Sequence, residues 1–361
     1  MCVVDALLEK VEDTVSLGVR EFCTRVGITG GNFDRSAENL WKTAGVKLSG
    51  EKFRQVVEAE GRRVQRAHAQ EQLEFDWCAR DCVVKEGAGA GRSRVYMGAD
   101  GVLLPMVKQQ EKRLRRDRIK GKRRRRGKAC RKLPPAKAGA DQGYKEFKIV
   151  TFYDQDQQHR SVGVTCGNHQ VAGKLMRRDA ARMFLKQADE AIANVDGAEW
   201  IVGQAKRQHL PLDAIGLDFY HFSEHVHEAR RAVYGEQSEQ GDAWAAEMLH
   251  TAKHEGYRAL WEKLLAWRSR WRGPGSRRAA DRLLHYISQR EEMIQYPQFI
   301  EKGWQIGSGP TESMCKALTL RLKGRGMRWD RDNAEAMMAL EGLWQSGQWD
   351  TYWNRCAREL A

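Results

Sequence analysis

The chain has 361 residues, 41% of them hydrophobic, with 62 Lys and Arg against 48 Asp and Glu. That length accommodates two or three domains and a sizeable core. No apolar run reaches the ~20 residues that cross a membrane, and Met1-Cys2-Val3-Val4-Asp5 lacks the basic start of a secretion signal, so a soluble, cytoplasmic protein is expected. The eight cysteines are scattered; the closest pair, Cys78 and Cys82, has no second pair to complete a zinc site, and all eight read as reduced thiols.

In chain order, residues 3–26 read as an amphipathic helix with Val4, Leu7, Val11, Val15, Val19 and Phe22 on one face. A second helix is predicted over Ser36 to Thr43. After Gly45-Val46-Lys47-Leu48, Ser49 suits the cap of a third, carrying Phe53, Val56 and Val57. Two helices joined by a short Gly-containing turn fit a helix-turn-helix, whose second helix enters a major groove, as well as they fit an ordinary helical hairpin. Gly87-Ala88-Gly89-Ala90-Gly91 reads as a flexible linker. Arg94 to Gly101 is strand-like and ends on an Asp-Gly turn pair, with Val102 to Val107 as the returning strand. Tyr144 to Asp154 and Ser161 to Thr165 are further strands. A helix is predicted over 170–192, and Ala193-Asn194-Val195-Asp196-Gly197 reads as the end of a strand. Ala214 to His221 is a clearer strand, and everything from about 222 to 300 reads as helix.

The net charge of +14 is local. Residues Lys112 to Lys132 hold fourteen Lys and Arg and the single acid Asp117, which leaves 48 basic and 47 acidic residues in the rest of the chain. Such density cannot pack into a core, so a disordered phosphate-binding arm over 108–143 is expected, centred on Lys122, Arg123, Arg124, Arg125 and Arg126. A merely solvating tail is the plainer alternative, but tails sit at termini, and this segment interrupts a β region.

The stretch Gly307-Ser308-Gly309-Pro310-Thr311-Glu312-Ser313 opens the next predicted helix, with Gly309 as N-cap and Glu312 in the first turn. Met314, Leu318 and Leu322 form its buried stripe, and Glu312, Lys316, Thr319 and Lys323 fall on another face. Taken alone, Glu312 is a helix-capping acid. It gains weight from Asp100 and Asp196, two further acids at the ends of predicted elements, with Asp218 as a fourth. Carboxylates so far apart in sequence meet only if a mixed sheet with helices on its faces gathers them. Three of them could hold two Mg²⁺ ions about 4 Å apart for phosphoryl transfer.

Met97-Gly98-Ala99-Asp100-Gly101, Asp196-Gly197-Ala198-Glu199-Trp200-Ile201, Leu217-Asp218-Phe219-Tyr220-His221 and Ile306 to Ser313, in that order, resemble bacterial insertion-sequence transposases of the DDE class, nearest to the ISKra/ISLre-type group. Arg325-Gly326-Met327-Arg328-Trp329 and Ser346-Gly347-Gln348-Trp349-Asp350 are similar too, and the likeness spans residues 93–355.

The resemblance implies an α/β, ribonuclease-H-like mixed sheet with an all-helical insertion, preceded by a small helical, helix-turn-helix-like domain. The divisions expected are a DNA-binding domain over 1–75, the first part of the core over 93–222, the insertion over 223–300 and the Glu-bearing remainder over 301–361. It implies Asp100, Asp196 and Glu312 as catalytic, Mg²⁺- or Mn²⁺-holding acids, with Asp218 and His221 accessory and Asp218 the rival for second acid. Lys316, Arg321, Lys323, Arg325 and Arg328 are expected to join the arm in contacting DNA. The implied partners are DNA and further copies of the chain assembled on it.

Two other readings compete. His221-Phe222-Ser223-Glu224-His225 matches His-x-x-Glu-His, in which two histidines on one helix face hold zinc for hydrolysis, but His221 falls at a predicted strand end, which puts the helical register in question. A non-catalytic DNA-binding protein with structural acids is the other.

Overall fold

The computed structural model describes residues 15–129 and 142–360. Its strands are β1 (Arg94–Pro105), β2 (Tyr144–Asp154), β3 (Arg160–Thr165), β4 (Glu190–Val195) and β5 (Ala214–Leu217). They form one sheet in the order β3-β2-β1-β4-β5. β1, β4 and β5 are parallel, whereas β2 is antiparallel to both its neighbours. The chain is thus α/β with a mixed five-stranded sheet.

Among the described residues, three α-helices precede the sheet: α1 (Leu17–Thr29), α2 (Phe33–Ala44) and α3 (Gly50–Ala69). Then come α4 (Gln109–Arg124), α5 (His169–Arg182) and α6 (Glu199–Arg207) between strands. After β5 the chain is helical: α7 (Phe219–Tyr234), α8 (Glu239–His254), α9 (Tyr257–Ser269), α10 (Pro274–Ser288), α11 (Tyr296–Glu301), α12 (Gly309–Leu320), α13 (Arg331–Gln345) and α14 (Trp349–Leu360). None of the described helices is long and apolar enough to cross a membrane.

The sheet's two faces are covered differently. On one, Leu175 of α5 lies over Gly163, and the Lys148 ammonium sits 4.4 Å from the Trp200 ring of α6. On the other, α12 packs on β1 and α13 on β3. Arg94 is buried at the start of β1, yet fully partnered: Nε donates to Glu190 at 2.6 Å, Nη1 to the Gly303 carbonyl at 2.8 Å and Nη2 to the Lys302 carbonyl at 2.9 Å. It ties β1, β4 and the end of α11 together, and a buried arginine is tolerated only with such complete pairing.

Several expectations are corrected. The first described helix begins at Leu17, capped by Ser16, and buries Leu17, Cys23, Thr24, Gly27 and Ile28; of the expected stripe, Val15 is buried and Val19 partly so, Phe22 is exposed, and Val4, Leu7 and Val11 lie outside the described residues. Ser49 does cap α3, accepting from the Lys52 amide, and Phe53, Val56 and Val57 are buried. The N-terminal helices do not stand apart, however. The buried carboxylate of Glu60 receives Arg20 at 2.8 Å and the Tyr352 hydroxyl at 2.5 Å, and α3 meets α13 so closely at Gly61 that a Cβ there would overlap Ala336. With α3 packed along α13, the second helix of the expected helix-turn-helix is not free to enter a groove along its length.

The Gly87–Gly91 stretch is no flexible linker. All three glycines have positive φ and close a turn between the bridged residues Val83 and Ser93. Nor does the chain turn at Asp100-Gly101. β1 runs straight through, pairing Asp100 with Ile149 and Gly101 with Lys148, and a Cβ on Gly101 would overlap the Glu146 side chain. An Asp-Gly pair favours a turn locally, but continuous pairing with β2 prevails here. The basic arm therefore joins β1 to β2. The helix expected over 170–192 stops at Arg182; Phe184 takes a left-handed conformation at φ 55°, and β4 starts at Glu190.

Candidate functional site

Strand register carries three acids into one row. β1 pairs Met97 with Ala193 of β4, and β4 pairs Val195 with Leu217 of β5. Asp100 and Asp196 lie equally far beyond the first pair, and Asp196 and Asp218 directly beyond the second, where the Asp218 amide still donates to the Val195 carbonyl at 2.8 Å. Neighbouring strands lie about 5 Å apart, so the row Asp100–Asp196–Asp218 runs from the middle of β1, past its last pair with β4, to the carboxyl ends of β4 and β5, the kind of strand end where open α/β sheets bind ligands. Partners in a parallel pair project to the same face, as the Arg94–Glu190 contact of 2.6 Å shows.

That face is the one covered by α12. Gly98 shares it with Asp100, and a Cβ on Gly98 would overlap the Thr311 hydroxyl, which itself lies 3.0 Å from that of Thr151. Glu312 follows Thr311 and is exposed at the start of the helix. The N-cap is Ser308 rather than Gly309, and its hydroxyl donates to Glu312 Oε1 at 3.1 Å. One turn on, Cys315 is buried; burial first, then the negative charges of Asp100 and Glu312, push its thiol well above the usual range. Asp100 and Glu312 thus flank the same side chain.

The acids are held differently. Asp100 is half-buried and accepts from the Gly101 amide at 2.6 Å. Asp196 is half-buried too, and one oxygen accepts from the Ala198 amide at 2.9 Å. Its neighbour Gly197 has φ 81°, and its carbonyl receives Arg290 Nη2 at 2.8 Å. Asp218 is buried, with both oxygens engaged by backbone amides: His221 on Oδ1 at 2.6 Å and Ser308 on Oδ2. Burial first pushes the Tyr286 phenol up, Arg290 opposes that, and the charges of Asp196 and Asp218 add to it.

β5 ends at Leu217 because Asp218 caps α7, so His221, Glu224 and His225 do share a helix, contrary to the strand-end reading. The rings of His221 and His225 stand edge to face, 5.3 Å apart. His221 Nδ1 is 3.3 Å from Glu224, while His225 stacks on Tyr286 at 3.7 Å. Burial first, then His221, lower the His225 pKa. Among the described residues, no three His, Cys, Asp or Glu side chains converge to hold a metal ion, and this applies to the carboxylates and the histidines alike.

The cations divide into free and engaged. Lys122 to Arg126 are exposed, and α4, which leads into them, buries no residue. The arm is thus helical up to Arg124, where disorder was expected from its charge; residues 130–141 lie outside the described residues. Its base is fastened to the segment after α12: Glu111 receives Arg328 at 2.9 Å, and Lys112 pairs with Asp330. Lys316, Lys323 and Arg325 are exposed beyond Glu312, but Thr319 is buried, its hydroxyl donating to the Cys315 carbonyl, so it leaves the face expected for it. Arg321, expected among the DNA contacts, is half-buried instead of exposed. Its guanidinium sits 4.8 Å from the Phe33 ring and 5.4 Å from that of Trp329, and burial lowers its pKa.

Sequence reasoning missed Arg290, Ser308, Thr311 and Cys315 as supports of the site. Only Gly98 and Gly197, glycines beside acids, hinted at the close approaches they permit.

No protein-family model matches the sequence, and no curated protein matches it. Among solved structures, the chain is similar to the Drosophila P element transposase strand transfer complex, at 9% identity, over 94% of this chain and 81% of that one, with a TM-score of 0.31. At that score the likeness carries no argument about this chain.

Proposed function

We propose that this chain is a DNA transposase of the DDE class, of the bacterial insertion-sequence kind its motifs resemble, with a ribonuclease-H-like core. One observation carries the reading: Asp100, midway along β1, and Asp196, just past the end of β4, lie equally far beyond the last β1–β4 pair, and the helix that opens with Glu312 packs on the β1 face that carries Asp100. The strand order suits that core, with the first acid on β1, the second beyond β4 and the Glu on a helix after an all-helical stretch.

The reaction is hydrolysis of a phosphodiester at the element's end, followed by in-line attack of the freed 3′-hydroxyl on target DNA. Asp100, Asp196 and Glu312 would hold Mg²⁺ or Mn²⁺ once their side chains turn toward one another. Such ions activate the attacking oxygen and stabilise the leaving one. Asp196 is the better second acid, because both oxygens of Asp218 are engaged by backbone amides while Asp196 keeps one oxygen outside its turn. Asp218 then serves by fixing the starts of α7 and α12. Lys316, Lys323 and Arg325 would meet phosphates near the cut, and the arm would track DNA further out. Two ends must be joined, so a dimer or larger assembly on DNA is expected.

The test is cleavage and joining of DNA carrying the element's ends, with Mg²⁺ or Mn²⁺ supplied. Glu312→Gln is expected to lose both activities, by a factor of a hundred or more for removal of one charge-stabilising group (about 10²–10³). A Glu312→Gln protein as active as its parent would sink the assignment. Asp196→Asn compared with Asp218→Asn locates the second acid.

A further inference from the structure

Tyr220 is a large aromatic placed where the fold does not need it. It is 74% exposed, although it follows Asp218 by two residues and opens α7 beside the acid row. Phe219 meets it edge to face at 6.5 Å. Gly307, in the loop leading to Glu312, lies next to the ring; a Cβ there would come 3.8 Å from Tyr220 and 3.7 Å from Asp218. Because residue 307 is glycine, no side chain fills the space between ring and loop.

The surroundings say what kind of group the ring receives. Tyr220 heads an open cleft of about 740 Å³ along α7, lined by Glu224 and Glu228 together with His221, His225, His227 and Arg231. Acids and cations are mixed in this lining, so it presents no field of one sign to a phosphate, whereas the exposed ring offers an apolar, planar face to a planar group. On the proposed function, the nearest such group is a nucleobase of the nucleotide flanking the cleaved bond. Bases stack on exposed aromatic rings in a sequence-tolerant way once they are unpaired.

We propose that Tyr220 is a positioning residue that stacks on an unpaired nucleobase beside the scissile phosphate, so that the chain favours DNA ends whose last pair is open. This rests on the transposase reading but uses only the geometry around Tyr220.

The test is binding rather than turnover. The full chain is titrated with a duplex bearing a short 3′ overhang that carries 2-aminopurine, and with the matching blunt duplex. Stacking on Tyr220 quenches the fluorescence of the unpaired base. The parent is expected to quench it and to favour the overhang about tenfold, Tyr220→Ala to lose both the quenching and the preference, and Tyr220→Trp to restore them. Equal quenching by Tyr220→Ala and parent, with DNA bound by both, overturns this inference alone. Failure of every variant to bind either duplex overturns the transposase reading and the inference with it. Circular dichroism of Tyr220→Ala, expected to match the parent, separates loss of stacking from loss of fold.

Discussion

The carboxylate of Asp218 joins the first turns of two helices that are ninety residues apart in the chain: Oδ1 accepts from the His221 amide of α7 and Oδ2 from the Ser308 amide at the cap of α12. Hydrogen bonds to a charged acceptor contribute about 1.5–3 kcal/mol each, and a buried amide left without its partner costs more than an exposed one. Asp218→Ala is therefore expected to lower unfolding stability by about 3 kcal/mol in urea titration. Asp196→Asn, on a half-buried residue whose carboxylate engages only the Ala198 amide, is expected to change stability by less than about 1 kcal/mol while abolishing cleavage. If Asp218→Ala proves as stable as the parent, Asp218 is not the fastening between the two helices.

Gly98 sets how closely α12 approaches β1. A Cβ there would overlap the Thr311 hydroxyl and stand 2.9 Å from that of Thr151. Gly98→Ala should push α12 outward and carry Glu312 away from Asp100. A displacement of about 1 Å in a catalytic group can cost a hundredfold in rate, so cleavage should fall by roughly that factor. Adding Thr311→Ala makes room and should restore much of the loss, a coupling between contacting residues that two independent sites would not show. Additive losses in the double variant would place the damage elsewhere.

What the sequence made legible follows the range of the interactions involved. The start of α12, the cap at Ser49 and the strand Tyr144–Asp154 are set by neighbours within a few residues, and local patterning finds them. Asp100-Gly101 misleads for the same reason: its turn preference is local, whereas the pairing that overrides it comes from Ile149 and Lys148. Arg321 sits in a run of cations and reads as a phosphate ligand, yet the rings that cover it are Phe33, from far back in the chain, and Trp329. The acid row was visible only as separate acids. Its alignment depends on the register of β1, β4 and β5, which no single segment encodes.

Acid should weaken the fold through His68. The imidazole is half-buried, with Nδ1 enclosed, near Arg178 and Arg182, and desolvation first, then those two charges, lower its pKa from 6.5 to about 3. A folded-state pKa below the unfolded one means that the unfolded chain binds more protons in that window. Stability is then held above pH 6.5 and lost as pH falls toward about 3. The slope approaches about 1.4 kcal/mol per pH unit at most. Buried Asp179 works oppositely, because burial raises its pKa and protonation in acid relieves the folded state. The informative quantity is thus the difference between the parent and His68→Gln, measured by urea titration at several pH values. The parent should lose stability faster than the variant between pH 6 and about pH 4; parallel curves would show that His68 titrates normally in the fold.

The basic arm should reveal itself in salt rather than in the fold. Lys122 to Arg126 are exposed and α4 buries nothing, so replacing Arg123, Arg124, Arg125 and Arg126 by Ser removes charge without removing packing. Each phosphate neutralised on duplex DNA contributes about 0.9 to the slope of log K against log salt. If all four arginines engage phosphates, the slope should flatten by as much as about 3.6, with thermal stability unchanged. The base of the arm offers a second handle. Glu111 holds Arg328 at 2.9 Å, and Arg328 belongs to the segment that follows the Glu312 helix. Glu111→Gln removes one of the two fastenings between arm and segment, leaving the Lys112–Asp330 pair, without touching the arm's cations. It should keep most of the salt slope but weaken binding, because the arm must then be ordered on DNA at each encounter. A quadruple Ser variant with an unaltered slope would mean that these four charges only solvate the arm, and the contacts to DNA would have to come from Lys316, Lys323 and Arg325.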